Sequence, residues 1–224
     1  MIKNISNLGD AALYCDFGKE VNKSTNAQVI KYFKSIKKEN IDGINNLTPS
    51  YNKLIISFDL KKTNYKIVKK IIENLNIIKQ DELKNRKIEI PLCIDESFAL
   101  DIKRLEEKLK IDRYKIYENI FKKEFFCYMT GFIAGMPFLG DLEANMRATR
   151  LNTPRVKVPK GSVGLTEQFA NIYTFDSPGG WNVIGNTPLK IFDSFNEQEP
   201  NLINPGDIVI FKKITKNQYQ NYNE

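Results

Sequence analysis

Hydrophobic and polar positions in the first ninety residues alternate between two periods. Asp10 to Gly18 is a short apolar run ending in glycine, which predicts a strand. Val29, Ile30, Phe33 and Ile36 then fall on one helical face, with Ser24 or Thr25 placed to cap it. Ile41 to Thr48 and Lys53 to Asp59 flank Pro49-Ser50-Tyr51-Asn52, a turn between two strands. Val68, Ile71, Ile72 and Leu75 keep the spacing of a second helix behind Thr63 or Asn64. Arg86 to Leu92 alternates as one more strand. The order strand-helix-strand-strand-helix-strand predicts an α+β domain of the ferredoxin-like, split βαβ kind, although the last strand also suits the domain that follows.

Residues 97–120 read as helical, with Ser97 as cap and Leu100, Arg104/Leu105 and Leu109 at helical spacing. Phe125 to Phe132 predicts a buried strand. Short segments broken by Gly and Pro come next: Val156–Val158, Gly161–Thr166, Asn171–Phe175, Trp181–Ile184 and Asp207–Lys213. Many short strands with turn signals predict a small β-barrel or sandwich. Nine of the twelve glycines and seven of the nine prolines lie in residues 131–224, so the architecture changes partway along. We expect a domain over 1–87 and a second over 88–224, with a polar tail fraying after Lys216.

Composition narrows the chemistry. Hydrophobic residues make up 42% and charged residues 27%, a globular balance. The net charge of +7 rests on lysines that occupy the polar faces of the helices (Lys31, Lys34, Lys37, Lys38; Lys66, Lys69, Lys70). No aromatic residues interleave with them, so a nucleic-acid partner is not expected. Zero histidines exclude Ser-His-Asp and Cys-His triads, histidine bases and histidine metal ligands. Cys15, Cys93 and Cys127 are scattered, which predicts buried free thiols with neither a zinc site nor a disulfide. No leader-like or membrane-spanning apolar run is evident, so a cytoplasmic protein without a membrane partner is expected.

Four stretches stand out in the second half. Gly131-Phe-Ile-Ala-Gly-Met-Pro-Phe-Leu-Gly140 offers close backbone approach at Gly131, Gly135 and Gly140, with one φ fixed at Pro137. Arg147 to Lys160 holds five basic groups and no acid. Arg150, Arg155 and Lys157 there suit a carboxylate or phosphate. The stretch continues through Gly161 and Gly164. Ser177-Pro-Gly-Gly-Trp181 is a turn with Gly179 and Gly180 that delivers the only tryptophan, and Gly185-Asn-Thr-Pro-Leu-Lys-Ile-Phe-Asp193 follows it. Neither a P-loop nor a G-x-G-x-x-G motif is present.

GFIAGMPFLG, RLNTPRVKVPKGSVGLTEQFANIYT and SPGGWNVIGNTPLKIFD, in this order, resemble the family that includes the B component of bacterial 5-oxoprolinase. The same family holds the allophanate-hydrolase subunit 1-like proteins and the kinase inhibitor KipI. GDAALYCDFG is similar to the family's opening, so the resemblance spans nearly the whole chain. It implies a ferredoxin-like domain followed by a cyclophilin-like barrel. It further implies action with the partner subunits C and A of 5-oxoprolinase, converting 5-oxo-L-proline, ATP and water to L-glutamate, ADP and phosphate. The other branches imply a non-enzymatic kinase regulator, or a carboxyltransferase partner in a biotin-dependent urea carboxylase.

ATP is therefore the implied cofactor, with no metal site in this chain. Matching the family pattern are Arg150, Arg155, Ser162, Tyr173, Ser177 and Thr187, which with Lys157 form the expected substrate or anion contacts. Departures are Phe138 for Tyr, Phe169 for Gln, Ala170 for Thr, Asn171 for Gly, Asn186 for Arg and Asn119 for a His. Exchanging Gln for Phe removes a donor and an acceptor. No general base stands out. Asp141 and Asp176, beside glycine-rich turns, are the candidates within the chain, and a partner protein is the alternative source.

Overall fold

The computed structural model describes residues 1–78 and 85–222. Its chain divides into two compact units, Met1–Asn85 and Arg86–Glu224.

The first unit contains β1 (Asn4–Asn7), β2 (Ala12–Asp16), α1 (Lys23–Glu39), β3 (Ile44–Pro49), β4 (Lys53–Phe58) and α2 (Tyr65–Glu73). The strands form an antiparallel sheet in the order β1-β2-β4-β3. Alternation turns Leu13, Cys15, Leu54, Ile56 and Phe58 onto one face, where they meet Val29, Ile36, Val68 and Ile72 of the helices. Asn22, rather than Ser24 or Thr25, caps α1 by accepting the Thr25 N–H at 2.8 Å. Asn64 caps α2 in the same way.

The strand expected at 86–92 does not join this sheet. Its ferredoxin-like place beside β2 is taken by β1, a hairpin partner that the alternation pattern had not revealed. The predicted segment is β5 (Lys87–Cys93) of the second unit, which therefore begins just ahead of the expected boundary. The physical reason is burial. Ile90, Pro91, Leu92 and Cys93 are consecutive buried residues, and such a run needs cover on both faces.

The second unit continues with α3 (Ile102–Leu109), α4 (Arg113–Lys122), β6 (Glu124–Thr130), β7 (Pro137–Gly140) and β8 (Arg155–Val158). Beyond these lie β9 (Ser162–Thr166), β10 (Phe169–Ile172), β11 (Ser177–Gly179), β12 (Asn182–Asn186), β13 (Ile208–Ile214) and α5 (Lys216–Gln220). Seven strands close a barrel in the order β10-β7-β6-β13-β5-β12-β9, and β8 and β11 form a separate two-stranded ribbon. Strands β13 and β5 pair in parallel along their whole length. Ile90, Leu92, Phe125, Leu139, Leu165, Ile172 and Phe211 belong to a core that also packs Leu105, Ile116 and Ile120 of the helices.

The helix expected over 97–120 is two helices, because Lys110 turns left-handed at φ 54°. Ser97 caps neither: its N–H and hydroxyl donate to Asp95 within a turn. Strands β7 and β11 arise from segments that read as Gly/Pro turns. The tail expected to fray is helical, started by a capping box between Thr215 and Gln218. All three cysteines are buried free thiols. Among the described residues, no helix is long and apolar enough to cross a membrane.

Candidate functional site

Tyr173 is the residue on which the unusual segments meet. It follows β10, is 1% exposed, and ties its backbone to both Ser162 O (2.9 Å) and the Gly161 N–H (2.7 Å). Its phenol lies against Gly179 so closely that a Cβ there would stand 2.2 Å from the hydroxyl oxygen. At Gly164 a Cβ would stand 2.7 Å from Asn171 Oδ1 and 2.9 Å from Trp181 Cβ. Glycine at these two places is a packing requirement. Trp181 meets Phe138 of β7 edge-on, with centroids 5.6 Å apart. Met136, Val158, Tyr173 and Val183 form an apolar cluster separate from the barrel core, with Ile133 and Phe138 against it. Segments 131–140, 150–164 and 177–187 thus converge.

The basic groups divide by partner. Arg155 makes a two-pronged ion pair with Asp101 at 2.7 and 2.9 Å. Asp101 is 4% exposed and also accepts the Val183 N–H at 2.7 Å. Lys157 pairs with Asp176 at 2.7 Å, and Asp176 also accepts the Lys160 N–H. Lys157, then that N–H, hold the Asp176 carboxyl below its ordinary value. Arg155 and Lys157 are therefore matched from within, and Asp176 is a turn carboxylate unsuited to take a proton. Arg147 donates its Nε–H to Leu142 O. Arg150 is exposed and lies over Gly180, at 3.5 Å from where a Cβ would stand. Among the described residues its guanidinium has no carboxylate partner. Burial raises the Tyr173 phenol, while Asn171, the Trp181 backbone, Arg150 and Arg155 pull the other way. The phenol stays protonated at neutral pH.

The other expected residues fall elsewhere. Gly161 has φ 80°, and a Cβ there would run into Thr187 O and Asn186. The Asn186 Nδ2 donates to Lys160 O (2.9 Å) and Ser162 Oγ (3.4 Å). Gly161, Ser162 and Thr187 form this second group, buried with Asn186. Asp141 accepts the hydroxyl of buried Tyr128 at 2.8 and 3.0 Å. A Cβ on Gly135 would meet Phe192 and one on Gly140 would meet Tyr128, so both are packing glycines. Gly131 closes a turn to Met136 O, and Pro137 opens β7. Ser177 lies on the ribbon, its Oγ enclosed without a hydrogen-bond partner among the described residues. Three contributors were missed: Asp101, Arg104 and Asn182. For the first two a signal existed, since Asp101 and Arg104 stand one turn apart beside buried Ile102 and Leu105.

The arrangement leaves the exposed Arg150 guanidinium over Gly180 without a carboxylate partner among the described residues, a donor suited to an anion. It supplies no base. Among the described residues, no three His, Cys, Asp or Glu side chains gather as metal ligands.

The chain thus combines an α/β unit with a closed barrel whose glycines are fitted around a buried tyrosine. Residues 3–203 match the family model for the carboxyltransferase domain, subdomain C and D, and the chain belongs to that family. It is 30% identical to the B component of 5-oxoprolinase from Bacillus subtilis, over 98% of this chain and 96% of that one. The solved protein TTHA0988 matches with a TM-score of 0.83 and 25% identity, over 92% of this chain and 40% of its own. The Kluyveromyces lactis urea carboxylase shares the fold at a TM-score of 0.76 and 19% identity. The chain spans 22% of that larger enzyme.

Proposed function

We propose that this chain is the B component of an ATP-dependent 5-oxoprolinase and that Arg150 receives the carboxylate of 5-oxo-L-proline. The single observation carrying the site is the Arg150 guanidinium lying over Gly180 without a carboxylate partner among the described residues, where neighbouring Arg155 and Lys157 are neutralised by Asp101 and Asp176. Likeness to the Bacillus subtilis 5-oxoprolinase component along nearly the full length supports the reaction. In this reading the closed barrel is the cyclophilin-like domain, and the A and C components complete the enzyme in the cytoplasm.

A lactam resists hydrolysis because its amide is resonance-stabilised. Phosphorylation of the lactam oxygen by ATP, with release of ADP, makes the ring carbon an electrophile for water. Collapse of the adduct breaks the ring C–N bond with the amine leaving protonated, and a second water takes the resulting acyl phosphate to carboxylate and phosphate. The residues gathered here fit one carboxylate and not a triphosphate, since Arg155 and Lys157 are already matched. ATP and the base that activates water therefore belong to the partner proteins. This chain orients the ring: Arg150 fixes the carboxylate, Trp181 covers one side, and the matched pairs hold the loops.

The test is 5-oxo-L-proline-dependent ATP hydrolysis by the purified chain, by the A and C components, and by all three together. Turnover only in the full mixture supports the assignment. Robust turnover by the chain alone, or by A and C without it, contradicts it.

A further inference from the structure

We propose that Asp101 and Arg104 of the α3 entry are positioning residues that set where Arg150 presents its guanidinium. The inference rests on the reading of Arg150 as the anion contact. Arg150 leaves the barrel on an irregular segment between the short helical turn at Ala144–Met146 and β8. A segment with no strand partner of its own needs side chains to satisfy its carbonyls.

Arg104 does this from α3. Its guanidinium donates to Thr149 O (3.4 Å), to Arg150 O (3.2 Å) and to Asn182 Oδ1. Asn182 is fully buried, and its amide in turn reaches Thr149 O at 3.1 Å and Leu165 O at 2.9 Å. One turn earlier, Asp101 exchanges backbone and side-chain bonds with Val183 and grips Arg155. Leu151 N–H closes the arrangement on Gly180 O at 2.7 Å.

Two residues three apart at the start of one helix thereby fix both sides of the Arg150 backbone and the stretch that carries Trp181. The fork of Arg104 bridges three acceptors, which a lysine ammonium at the same place does not reproduce. Asp101 accepts from Arg155 and Val183, and Arg104 spends three of its N–H groups on Thr149 O, Arg150 O and Asn182 Oδ1, so both are directed at the backbone around Arg150. Their effect on binding passes through Arg150.

The test has two arms on the full chain. Hydrogen exchange without ligand reads the clamp: Arg104→Ala should speed exchange at Leu151 by about tenfold or more while β6 amides keep their rates. Arg104→Lys, which keeps the charge and folds more readily, should recover only part of the protection. Unchanged Leu151 exchange in both variants overturns the clamp. The second arm titrates 5-oxo-L-proline against Trp181 fluorescence. Arg104→Ala should raise Kd about tenfold, and the Arg104→Ala/Arg150→Ala pair should bind no worse than Arg150→Ala alone. Fully additive losses overturn the positioning role, because they mean Arg104 contacts the ligand itself. Failure of the wild-type chain to bind removes the reading of Arg150 and leaves the exchange arm to decide the clamp.

Discussion

The two units bury polar groups for different ends. In the first, the buried polar side chains among the described residues are Asn26, Ser35 and Asn52. Each serves its own scaffold: Asn26 donates to Ser50 O and Tyr51 O, Asn52 to Gly18 O, and Ser35 to Lys31 O. In the second, Asp101, Ser162, Asn171, Asn182, Asn186 and Thr187 are all buried, and Asp101 and Asn182 among them bond to the stretches around Arg150 and Trp181. The same requirement that buried polar groups be paired ties loops to helix and strand in one unit and braces the segment around Arg150 in the other. What the brace holds in place is an exposed arginine. Arg155 and Lys157 are paired with Asp101 and Asp176, whereas the Arg150 guanidinium has no carboxylate partner among the described residues.

The largest effect should come from Asp101→Ala. It leaves the buried Val183 N–H without its acceptor and the part-buried Arg155 guanidinium unpaired, costing about 3 kcal/mol. Asn52→Ala in the first unit loses neutral bonds only, about 1–2 kcal/mol. Hydrogen exchange at Val183 and Phe17 compares the two directly, and equal losses would erase the distinction between brace and scaffold. Gly179→Ala comes next, at about 1–3 kcal/mol, because its methyl group enters the Tyr173 hydroxyl. Its control is Gly9→Ala, where nothing lies within 4 Å and only a φ of 62° costs, about 1 kcal/mol. Thermal melts rank them.

Smaller still is a pH effect on the tail. The Ser97 hydroxyl and N–H, then Lys216, hold the Asp95 carboxyl at about 2, below its ordinary 3.8. A depressed pKa means the contact is complete above the ordinary value and is lost as pH falls through about 2. Lys216 anchors α5, whose Tyr219 ring packs at a tilt against Phe98 and whose hydroxyl donates to Asn186 Oδ1. Tyr219 ring signals should therefore move between about pH 4 and pH 2 in an NMR titration, and Lys216→Ala should abolish that dependence. An unchanged titration in the variant would mean that the tail is held by its aromatic contact alone.

Much of this was legible in the residues. Helical spacing at Val68, Ile71 and Ile72 and alternation at Lys53–Asp59 report burial on one face, and burial governs those elements. The ferredoxin-like fourth strand was misplaced because a fully buried run such as Ile90–Cys93 does not say which sheet covers it. Strands β7 and β11 were read as turns because glycine and proline there answer to tertiary approach, at Tyr128 and Tyr173, which local pattern does not record. At the site, the family motifs brought out Arg150, Tyr173, Gly179 and Trp181 together. They gave no warning that Arg155 would be claimed by Asp101, fifty-four residues away. Charge in a sequence shows what a segment offers, and only the fold shows what has already taken it.

The role proposed for Arg150 is tested most directly by steady-state 5-oxo-L-proline-dependent ATP hydrolysis by the complex of this chain with the A and C components. The comparison is wild-type against Arg150→Ala, with Lys157→Ala as the paired control. Removing one charge-assisted contact to a carboxylate should raise KM for 5-oxo-L-proline about 10- to 100-fold, with the melting temperature unchanged. Lys157→Ala should stay within about twofold of wild-type, because its charge is already answered by Asp176. Wild-type KM in Arg150→Ala, or an equal rise in Lys157→Ala, would contradict the assignment of the free guanidinium as the substrate contact.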